Sequence, residues 1–240
     1  MSTHGPDWIE FRGRNRMLLS TPLEPYLRDL PRRPDFRLTG EGYQRGYMAQ
    51  WEVRADHSLW LTGLKTRADN DGPEPGLALV FTTSNPVPAN WVSQLLHSSD
   101  GERRYQPVGY RSEFARATHL SVWRGEVVMI EEFESSHRVT STEFTGRLEE
   151  VFGAEEAAFL RAIRSAPEDA APRLVYADWL DERHDPRAAI IRLAERLRGR
   201  DPDTVARERD ADHDLLRRGR GHWLWRRIMT ANSDEDHLLE

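Results

Sequence analysis

The stretch YMAQWEVRADHSLWLTGL, residues 47–64, decides the structural class of the first half of this 240-residue chain. Residues 47–54 alternate apolar and mainly polar side chains, which is the pattern of a strand with one buried face. The turn-like segment at residues 55–58 leads into a second alternating run at residues 59–64. We therefore predict that these residues form a β-hairpin.

Further segments extend this β pattern. Strands are predicted at residues 77–82 and 91–96, and the Ser, Asp and Gly content of residues 98–101 predicts a turn. Residues 120–130, LSVWRGEVVMI, predict a second hairpin with a tight Arg-Gly turn. Together these segments predict a mostly antiparallel β domain over residues 1–150.

One early helix is predicted within this β domain. Apolar side chains recur at helical spacing from Leu23 to Leu30, after a Ser-Thr-Pro start and before a proline. The first dozen residues predict only a loose arm or a short edge segment, pinned by Trp8, Ile9 and Phe11.

The second half of the chain shows helical periodicity. Helices are predicted at residues 155–164 and 172–183, and a third starts after Asp185-Pro186. A polar fourth helix is predicted at residues 203–218. The apolar residues that close this domain are Trp223, Leu224, Trp225 and Ile228.

The predicted fold class is therefore α+β with two domains. The β-rich domain covers residues 1–150. An all-α helical bundle of about four helices covers residues 154–228. Residues 229–240 form an acidic tail.

The motif PRLVYADWLDER at residues 172–183 leads, after one residue, into Asp185-Pro186-Arg187. On these motifs, residues 154–228 resemble the planctomycete-type repeat-companion domain. The resemblance implies a module that accompanies repeats and other domains in large bacterial proteins, and hence an accessory role without a chemistry of its own. Further matching positions are Phe159-Leu160, Ile163, Pro167, Asp169, Ile191-Arg192-Leu193, Leu215-Leu216 and Trp223-Leu224.

Two departures from that family pattern bear on the prediction. His184 stands where the family usually has Gly, which predicts a helix-ending turn with a non-Gly residue in the left-handed region. Ala188-Ala189-Ile190 replaces a more usual Gly-Glu-Phe, so no role of that glutamate carries over to this chain.

The front half also resembles a scattered family of small uncharacterised bacterial proteins, over residues 15–132. The shared features are glycines at turns and aromatics on strands, so the resemblance supports the fold and implies no activity. The pieces that carry it are Ser20–Glu24, Arg45–Tyr47 with Ala49 and Trp51, Leu59–Leu61, Ala89–Trp91 and Gly125–Val128.

The Tyr-Ala-Asp-Trp core of the helical half is the most prominent candidate motif. Arg173 and Asp181 lie two turns apart on one helix, so we expect each to pair with a neighbouring helix. Arg192 is expected to bond Asp178 or Asp185, while the aromatic residues of the motif pack. A binding site at these residues is the alternative to this structural interpretation. The candidate positions are Arg173, Tyr176, Asp178, Trp179, Asp185 and Arg192.

A second candidate surface lies at residues 217–227, where arginines alternate with tryptophans. Such a mixture can hold phosphates and stack bases, or it can be a tryptophan-capped helix end covered by arginines. The candidate partner or nucleic-acid residues are Arg217, Arg218, Arg220, Trp225, Arg226 and Arg227.

Composition and motifs exclude several chemistries. The chain has no cysteine, which excludes disulfides, thiolate catalysis and Cys-ligated zinc. Neither the acidic turn at residues 69–72 nor the acids around His213 show the ligand spacing of a metal site. The sequence has none of the common nucleophile or phosphate-loop motifs. We therefore predict no catalytic residue, no metal and no cofactor.

Charge and hydropathy bear on location and partners. The net charge is −6, and neither half has the positive excess that drives non-specific nucleic-acid binding. Because no apolar run is long enough to span a membrane and residues 1–10 lack signal-peptide features, we expect a cytoplasmic protein without membrane contact.

Three functions follow as hypotheses. The first is a non-enzymatic interaction subunit, with an accessory, regulatory or immunity role in a bacterial conflict or defence system and a partner protein encoded nearby. The second is an enzyme with a non-standard site among the scattered front-half histidines and acids, namely around His57, His97, His119 or His137. The third is a nucleic-acid-binding accessory protein that uses residues 217–227.

Overall fold

The chain divides into two compact units, Met1–Arg147 and Leu148–Glu240. The computed structural model describes residues 6–38, 45–67, 73–105, 112–134, 138–198, 200 and 223–230. Within these ranges, no helix is both long enough and apolar enough to cross a membrane.

The first unit is built on a mixed nine-stranded sheet with the strand order β5-β4-β3-β1-β2-β6-β7-β8-β9. The β1–β3 pair is parallel, and the other neighbouring pairs are antiparallel. The strands are β1 Asp7–Phe11, β2 Arg14–Leu18, β3 Met48–Val53, β4 Leu59–Lys65, β5 Val87–Pro88, β6 Gln94–Tyr105, β7 Ser112–Trp123, β8 Glu126–Glu134 and β9 Arg138–Phe144.

Both predicted hairpins are confirmed. Strands β3 and β4 pair through residues 48–65, and β7 and β8 pair around the turn at Arg124-Gly125. The φ angles of these two turn residues are 50° and 82°, as a two-residue hairpin turn requires. A Cβ on Gly125 would lie 2.9 Å from the Ala89 carbonyl oxygen, so glycine is also needed for this close approach.

The predicted loose arm at the N-terminus is wrong. Residues 7–11 form β1, which lies inside the sheet between β3 and β2. Ile9 and Phe11 are buried in the apolar core on one face of the sheet. Strand β1 is not an edge segment either, because it pairs with β2 on one side and with β3, from a distant part of the sequence, on the other.

Two other local predictions in the first unit are also wrong. Residues 98–101, predicted as a turn, continue β6, where Ser98 and Ser99 face Thr118 and Ala117 of β7. Residues 77–82, predicted as a strand, include most of a 3₁₀ helix at Gly76–Leu79. In both places, pairing or packing with distant residues overrides the local propensity.

The early helix is confirmed as α1, Glu24–Asp29, which begins after the Thr-Pro-Leu turn. Its buried residue Leu27 joins the core that covers one face of the sheet. The largest fully buried side chains in this unit include Trp51, Tyr47, Ile9, Leu18, Leu23, Leu59, Leu61, Leu96 and Leu120.

A buried ion pair ties the N-terminal strand to the rest of the first unit. Asp7 is fully buried, and its carboxylate accepts hydrogen bonds from the Arg45 guanidinium at 3.0 Å and from the Ala49 amide at 3.0 Å. Burial raises the pKa of Asp7, and the charge of Arg45 acts against this rise. The pair therefore holds β1 beside β3 through polar contacts inside the core.

The described elements of the second unit are helices. They are α2 Leu148–Phe152, α3 Ala154–Ser165, α4 Ala170–Asp181, α5 Arg187–Leu197 and α6 Trp223–Thr230. Helix α4 begins two residues before the predicted start, because the Asp169 side chain accepts a hydrogen bond from the Ala171 amide and caps the helix. The helix predicted at residues 203–218 lies outside the described residues. The tail predicted at residues 229–240 begins too early, because Met229 and Thr230 still belong to α6, and its residues 231–240 lie outside the described residues.

The turn between α4 and α5 confirms the prediction for His184. The φ angle of His184 is 55°, in the left-handed region. The Asp185 amide donates to the Leu180 carbonyl at 3.0 Å, and the His184 amide donates to the Asp181 carbonyl at 2.9 Å. These two bonds form a Schellman motif, which satisfies the last carbonyls of α4.

Candidate functional site

The predicted pairing of Arg192 is confirmed for one of its two candidates. The Arg192 guanidinium on α5 donates to Asp178 at 2.7 Å and also bonds Asp181, and both acids lie on α4. Asp185 instead accepts from Arg187. The acids of α4 are largely exposed, so this connection is a surface contact of small energy.

Arg173 makes a buried contact between the same two helices, α4 and α5. Its side chain is 5% exposed and bonds Glu195 on α5 and the Pro167 carbonyl before α4. As expected, it pairs with a neighbouring helix and not with an acid of its own helix. Its charge is therefore neutralised inside the unit.

A network of polar contacts surrounds Tyr176 in the second unit. We call it the tyrosine network, and its members are Glu156, Tyr176, Asp185, Arg187 and Trp225. The Tyr176 hydroxyl donates to Glu156 on α3 at 2.6 Å and accepts from the Trp225 indole on α6 at 3.1 Å. Arg187 on α5 donates to Glu156 and to Asp185, each at 2.7 Å.

The ionisation behaviour of the tyrosine network indicates a structural role. Burial, together with the hydrogen bond to Glu156, raises the pKa of Tyr176, so its phenol stays protonated. Partial burial acts to raise the pKa of Asp185, but hydrogen bonds from Arg187 outweigh it and lower that pKa. Because the pKa of Tyr176 is raised and that of Asp185 is lowered, neither of these two groups changes its protonation state near neutral pH. Glu156 and Arg187 were not among the sequence candidates, and they become recognisable only when the helices are placed together.

Trp179 lies beside this network and packs as expected. Its ring contacts Phe159 at a centroid separation of 5.4 Å, and the Arg183 guanidinium lies 3.8 Å from its ring centroid. The Trp179 indole nitrogen is buried and has no hydrogen-bond partner among the described residues.

The outer face of α4 carries exposed apolar side chains. Leu174 is 41% exposed and Val175 is 55% exposed, whereas Tyr176, Ala177 and Leu180 of the same helix are fully buried. Helix α4 buries its Tyr176 side, where Tyr176 makes hydrogen bonds to α3 and α6.

The second candidate surface is only partly described. Trp225 is 1% exposed and donates to Tyr176, so it does not present its ring for base stacking. Arg217, Arg218 and Arg220 lie outside the described residues, as does the side chain of Arg226. Arg227 is half-buried at the end of α6. A nucleic-acid role for this segment stays a prediction.

In the first unit, the structure brings two of the scattered histidines together. His97 on β6 lies opposite His119 on β7, and Nδ1 of His97 is 3.1 Å from Nε2 of His119. Glu131 on β8 lies opposite His119 in the sheet and is fully buried. His57 lies in the β3–β4 turn with a φ of 66°, and His137 lies outside the described residues.

Two buried serines share the sheet face of the histidine pair. Ser99 follows His97 by two residues on β6, and Ser121 follows His119 by two residues on β7, so all four side chains point to one face. Ser99 is 3% exposed and Ser121 is fully buried. Neither hydroxyl has a hydrogen-bond partner among the described residues. We call Ser99, Ser121, His97, His119 and Glu131 the histidine face.

A cleft of about 660 Å³ lies at the end of β3 and β4. Glu74 closes the loop beside it by accepting hydrogen bonds from Thr66, Arg67 and Gly76. Partial burial acts to raise the pKa of Glu74, but these hydrogen bonds outweigh it and lower that pKa. Its carboxylate is thus engaged in the loop. The lining residues are Gln50, Thr62, Gly63, Leu64, Lys65, Arg67, Glu74, Pro75, Gly76, Leu77 and Ser84.

Metal-binding capacity is limited in the described part of the chain. No group of three or more His, Asp or Glu side chains lies together there in an arrangement that could hold a metal ion. The histidine face therefore offers two imidazole nitrogens at most as direct protein ligands.

Comparison with known proteins gives no match. No family model matches the chain, and neither a curated protein nor a solved structure does. The interpretation of function therefore rests on the geometry described above.

Proposed function

We propose that this protein is a non-enzymatic interaction subunit, with an accessory, regulatory or immunity role, whose partner protein binds the outer face of α4. The observation that carries the proposal is the exposure of Leu174 and Val175 on that face, 41% and 55%. Within the described residues, one other large hydrophobic side chain, Leu19 in the first unit, is similarly exposed.

The exposed pair is unusual for its helix. A surface helix normally buries one apolar stripe and presents polar residues on the other side. Helix α4 is apolar on both sides, since Tyr176, Ala177 and Leu180 already fill the interior. Full burial of an exposed aliphatic side chain contributes roughly 1.5–3 kcal/mol, and about half of that is still available to each of these half-exposed residues, which favours contact with a partner over contact with water.

The charges around the exposed pair indicate the chemistry of the partner. Asp178, Asp181 and Glu182 follow Leu174 and Val175 along α4. Asp178 and Asp181 share the single cation of Arg192, and Glu182 shares Arg183 with Glu155, so the acids of this surface outnumber the arginines paired with them. A partner segment with apolar side chains flanked by Arg or Lys would complement this surface. We therefore propose an amphipathic, basic segment of another protein as the occupant.

The resemblance to the repeat-companion domain supports the same proposal. That family accompanies other modules, and we propose that residues 154–228 form such a companion module, a bundle of about four helices. The tyrosine network supports the bundle because it joins α3, α4, α5 and α6 through hydrogen bonds. A setting in a bacterial conflict or defence system, with a partner encoded nearby and a cytoplasmic location, belongs to the proposal by family analogy.

Site-specific crosslinking from α4 tests the proposal. A photo-crosslinking amino acid at position 175 should link the chain to one product of a neighbouring gene when the genes are expressed together. The same amino acid at position 19 is the matched control, because Leu19 is 53% exposed in the other unit. The proposal is overturned if the two positions crosslink to the same extent, or if position 175 gives no crosslink.

Binding of the purified pair then tests the energetics. The double variant Leu174→Ser plus Val175→Ser should weaken binding at least about tenfold, since loss of about 1.4 kcal/mol corresponds to a factor of ten. The variant Leu19→Ser should bind as the native chain does. Because all three side chains are exposed, both variants are expected to keep their fold, which circular dichroism checks. Native affinity in the α4 double variant contradicts the proposal.

A further inference from the structure

Arg16 is a buried cation of the first unit. It lies on β2 opposite Ile9, so its side chain faces the apolar core, and the residue is 7% exposed. Its guanidinium donates a hydrogen bond to the Thr118 hydroxyl and lies 5.4 Å from the centroid of the Phe11 ring. The Nε atom of Arg16 is buried and has no hydrogen-bond partner in the described part of the chain. No carboxylate of the described residues lies within ion-pair distance of this guanidinium.

Two exposed arginines lie next to Arg16. Arg14 precedes it by two residues on β2 and shares its side of the strand, and Arg116 of β7 lies opposite Asp100 of β6. Both Arg14 and Arg116 are more than half exposed. Their guanidinium nitrogens lie 3.7 and 4.0 Å from the same oxygen of Asp100, which is too far for a hydrogen bond. We call Arg14, Arg16 and Arg116 the arginine cluster.

The pKa of Arg16 reflects an excess of positive charge around it. Burial lowers this pKa most, and the charges of Asp100 and Glu132 act against that effect. The charges of Arg14 and Arg116 lower the pKa further. Because the pKa of an arginine lies far above neutral pH, the guanidinium still keeps its charge. Arg16 is thus a buried cation that its surroundings leave without a direct counter-charge.

The acidic residues of the strand β8 form no ion pair with the arginine cluster. Glu132 pairs, together with Glu143 of β9, with Arg12 of the β1–β2 turn. Glu134 lies opposite Arg116 in the sheet, but no ion pair joins the two side chains. The arginine cluster is therefore paired with a single carboxylate of the described residues, and two of its three positive charges are not balanced by an ion pair.

We propose that the arginine cluster binds a dianionic phosphate group, with Arg16 at the base of the site and Arg14 and Arg116 at its rim. The Nε–H of Arg16 donates to one phosphate oxygen, and the two exposed guanidiniums donate to the others. A phosphate monoester carries about −1.5 to −2 charges at neutral pH, which matches the unbalanced charge, whereas a carboxylate carries only one. The planar fork of a guanidinium also fits the geometry of phosphate oxygens.

The surroundings of Arg16 favour such a ligand. A buried guanidinium without an anion is unfavourable, and opposite charges attract more strongly at a buried site than in water. Phe11 and Thr118 already hold the guanidinium, so binding costs little further ordering of this side chain. Arg14 and Arg116 are exposed and only loosely paired, so their side chains are able to turn toward the ligand. The site lies in the first unit and does not depend on the proposed docking face on α4.

Calorimetric titration of the full chain at about pH 8 and constant ionic strength tests the proposal. At this pH phenyl phosphate is a dianion, whereas benzenesulfonate has nearly the same shape and a single negative charge. We expect one phenyl phosphate per chain, bound at least about tenfold more tightly than benzenesulfonate. Inorganic phosphate identifies the source of the group: equal or higher affinity assigns the site to free phosphate, and lower affinity assigns it to an ester. The proposal is overturned if neither phosphate binds, or if phenyl phosphate and benzenesulfonate bind equally.

Substitution of Arg16 tests the base of the site. Arg16→Met should lower the affinity for phenyl phosphate at least about tenfold, because it removes the buried charged donor. The free energy of unfolding of the ligand-free chain should stay the same or rise, since an apolar side chain replaces a buried cation without an ion pair. Arg54→Gln is the matched control, because Arg54 is an exposed arginine of the first unit that pairs with Glu52 at 3.4 Å. Full affinity in Arg16→Met, or an equal loss in Arg54→Gln, contradicts the proposal.

Asp100 gives a test in the opposite direction, which a merely structural cluster would not pass. Asp100→Asn should tighten the binding of phenyl phosphate about two- to fivefold, because the carboxylate competes with phosphate for Arg14 and Arg116. Asp100 is partly exposed and the amide has the same shape, so the variant is expected to keep its fold, which circular dichroism checks. Unchanged or weaker binding in Asp100→Asn overturns the proposed arrangement, even if Arg16→Met does not fold.

Discussion

The Tyr176 hydroxyl donates a hydrogen bond of 2.6 Å to the carboxylate of Glu156, which joins α4 to α3 inside the second unit. The same hydroxyl accepts from the Trp225 indole of α6, and Arg187 of α5 donates to the same Glu156 oxygen. Tyr176, which belongs to the most prominent candidate motif of the sequence, is thus the point at which these helices are joined by hydrogen bonds.

Removal of this hydroxyl tests its structural role. Tyr176→Phe should lower the free energy of unfolding by about 1–3 kcal/mol, because the buried Trp225 indole loses its acceptor and Glu156 loses a donor. Urea unfolding followed by circular dichroism measures the change. Tyr26→Phe is the control, since the Tyr26 ring packs against Phe81 and Trp91 and no hydrogen bond to its hydroxyl is seen among the described residues. A larger loss of stability in Tyr26→Phe than in Tyr176→Phe would contradict the structural role of the Tyr176 hydroxyl.

Asp185 gives the second unit a dependence on acid pH. Its pKa is lowered from an ordinary value of 3.8, with the hydrogen bonds from Arg187 outweighing partial burial. A group with a lowered pKa contributes stability that is present above its unfolded value and is lost as the pH falls through its folded value. The native chain should therefore be more stable than Asp185→Asn at pH 6, and the difference should shrink below about pH 3.8. Unfolding free energies measured between pH 6 and pH 3 check this, and a constant difference would disprove it.

The contribution of buried Asp7 to stability should depend on pH in the opposite direction to that of Asp185. Arg45→Met should destabilise the first unit by about 3–5 kcal/mol, because it leaves a buried carboxylate without its cation. The pKa of Asp7 is already raised by burial and should rise further without Arg45. A raised pKa means stability that is present at low pH and lost as the pH rises, so the deficit of the variant should narrow on acidification.

The double variant is the control for that pair. Asp7→Asn together with Arg45→Met removes the uncompensated charge and should recover part of the loss at pH 7. Thermal unfolding of Asp7→Asn, Arg45→Met, the double variant and the native chain completes this double-mutant cycle. A double variant that is less stable than Arg45→Met would show that Asp7 stabilises the fold without its partner.

His184 offers a stabilising substitution. Its φ of 55° places a non-glycine residue in the left-handed region, which costs roughly 1–2 kcal/mol for an L-residue. His184→Gly should raise the free energy of unfolding by up to about 1 kcal/mol, since part of the gain is offset by the entropy of glycine in the unfolded chain. The melting temperature measures the gain. His57→Gly, at a φ of 66°, should change stability in the same direction, whereas a loss in both would refute the explanation.

Much of the local structure could be predicted from the sequence because its causes are local. The hairpin at residues 47–64 follows from period-two alternation, and α3 and α5 follow from helical periodicity. The left-handed turn at His184 was also predictable, because a Gly position of the resembled family is filled by another residue there. In each case the decisive contacts join residues that are near each other in the chain.

The remaining features depend on pairs far apart in sequence. The place of β1 inside the sheet is set by its pairing with β3, across a segment that contains β2 and α1. His97 and His119 meet because residues 98–101 continue β6 instead of turning, which brings the two strands into register. The exposure of Leu174 follows from the burial of Tyr176 against Glu156. Periodicity shows that a strand or helix has an apolar face, but only the tertiary structure decides what covers that face, because burial depends on contacts between elements that no local pattern encodes.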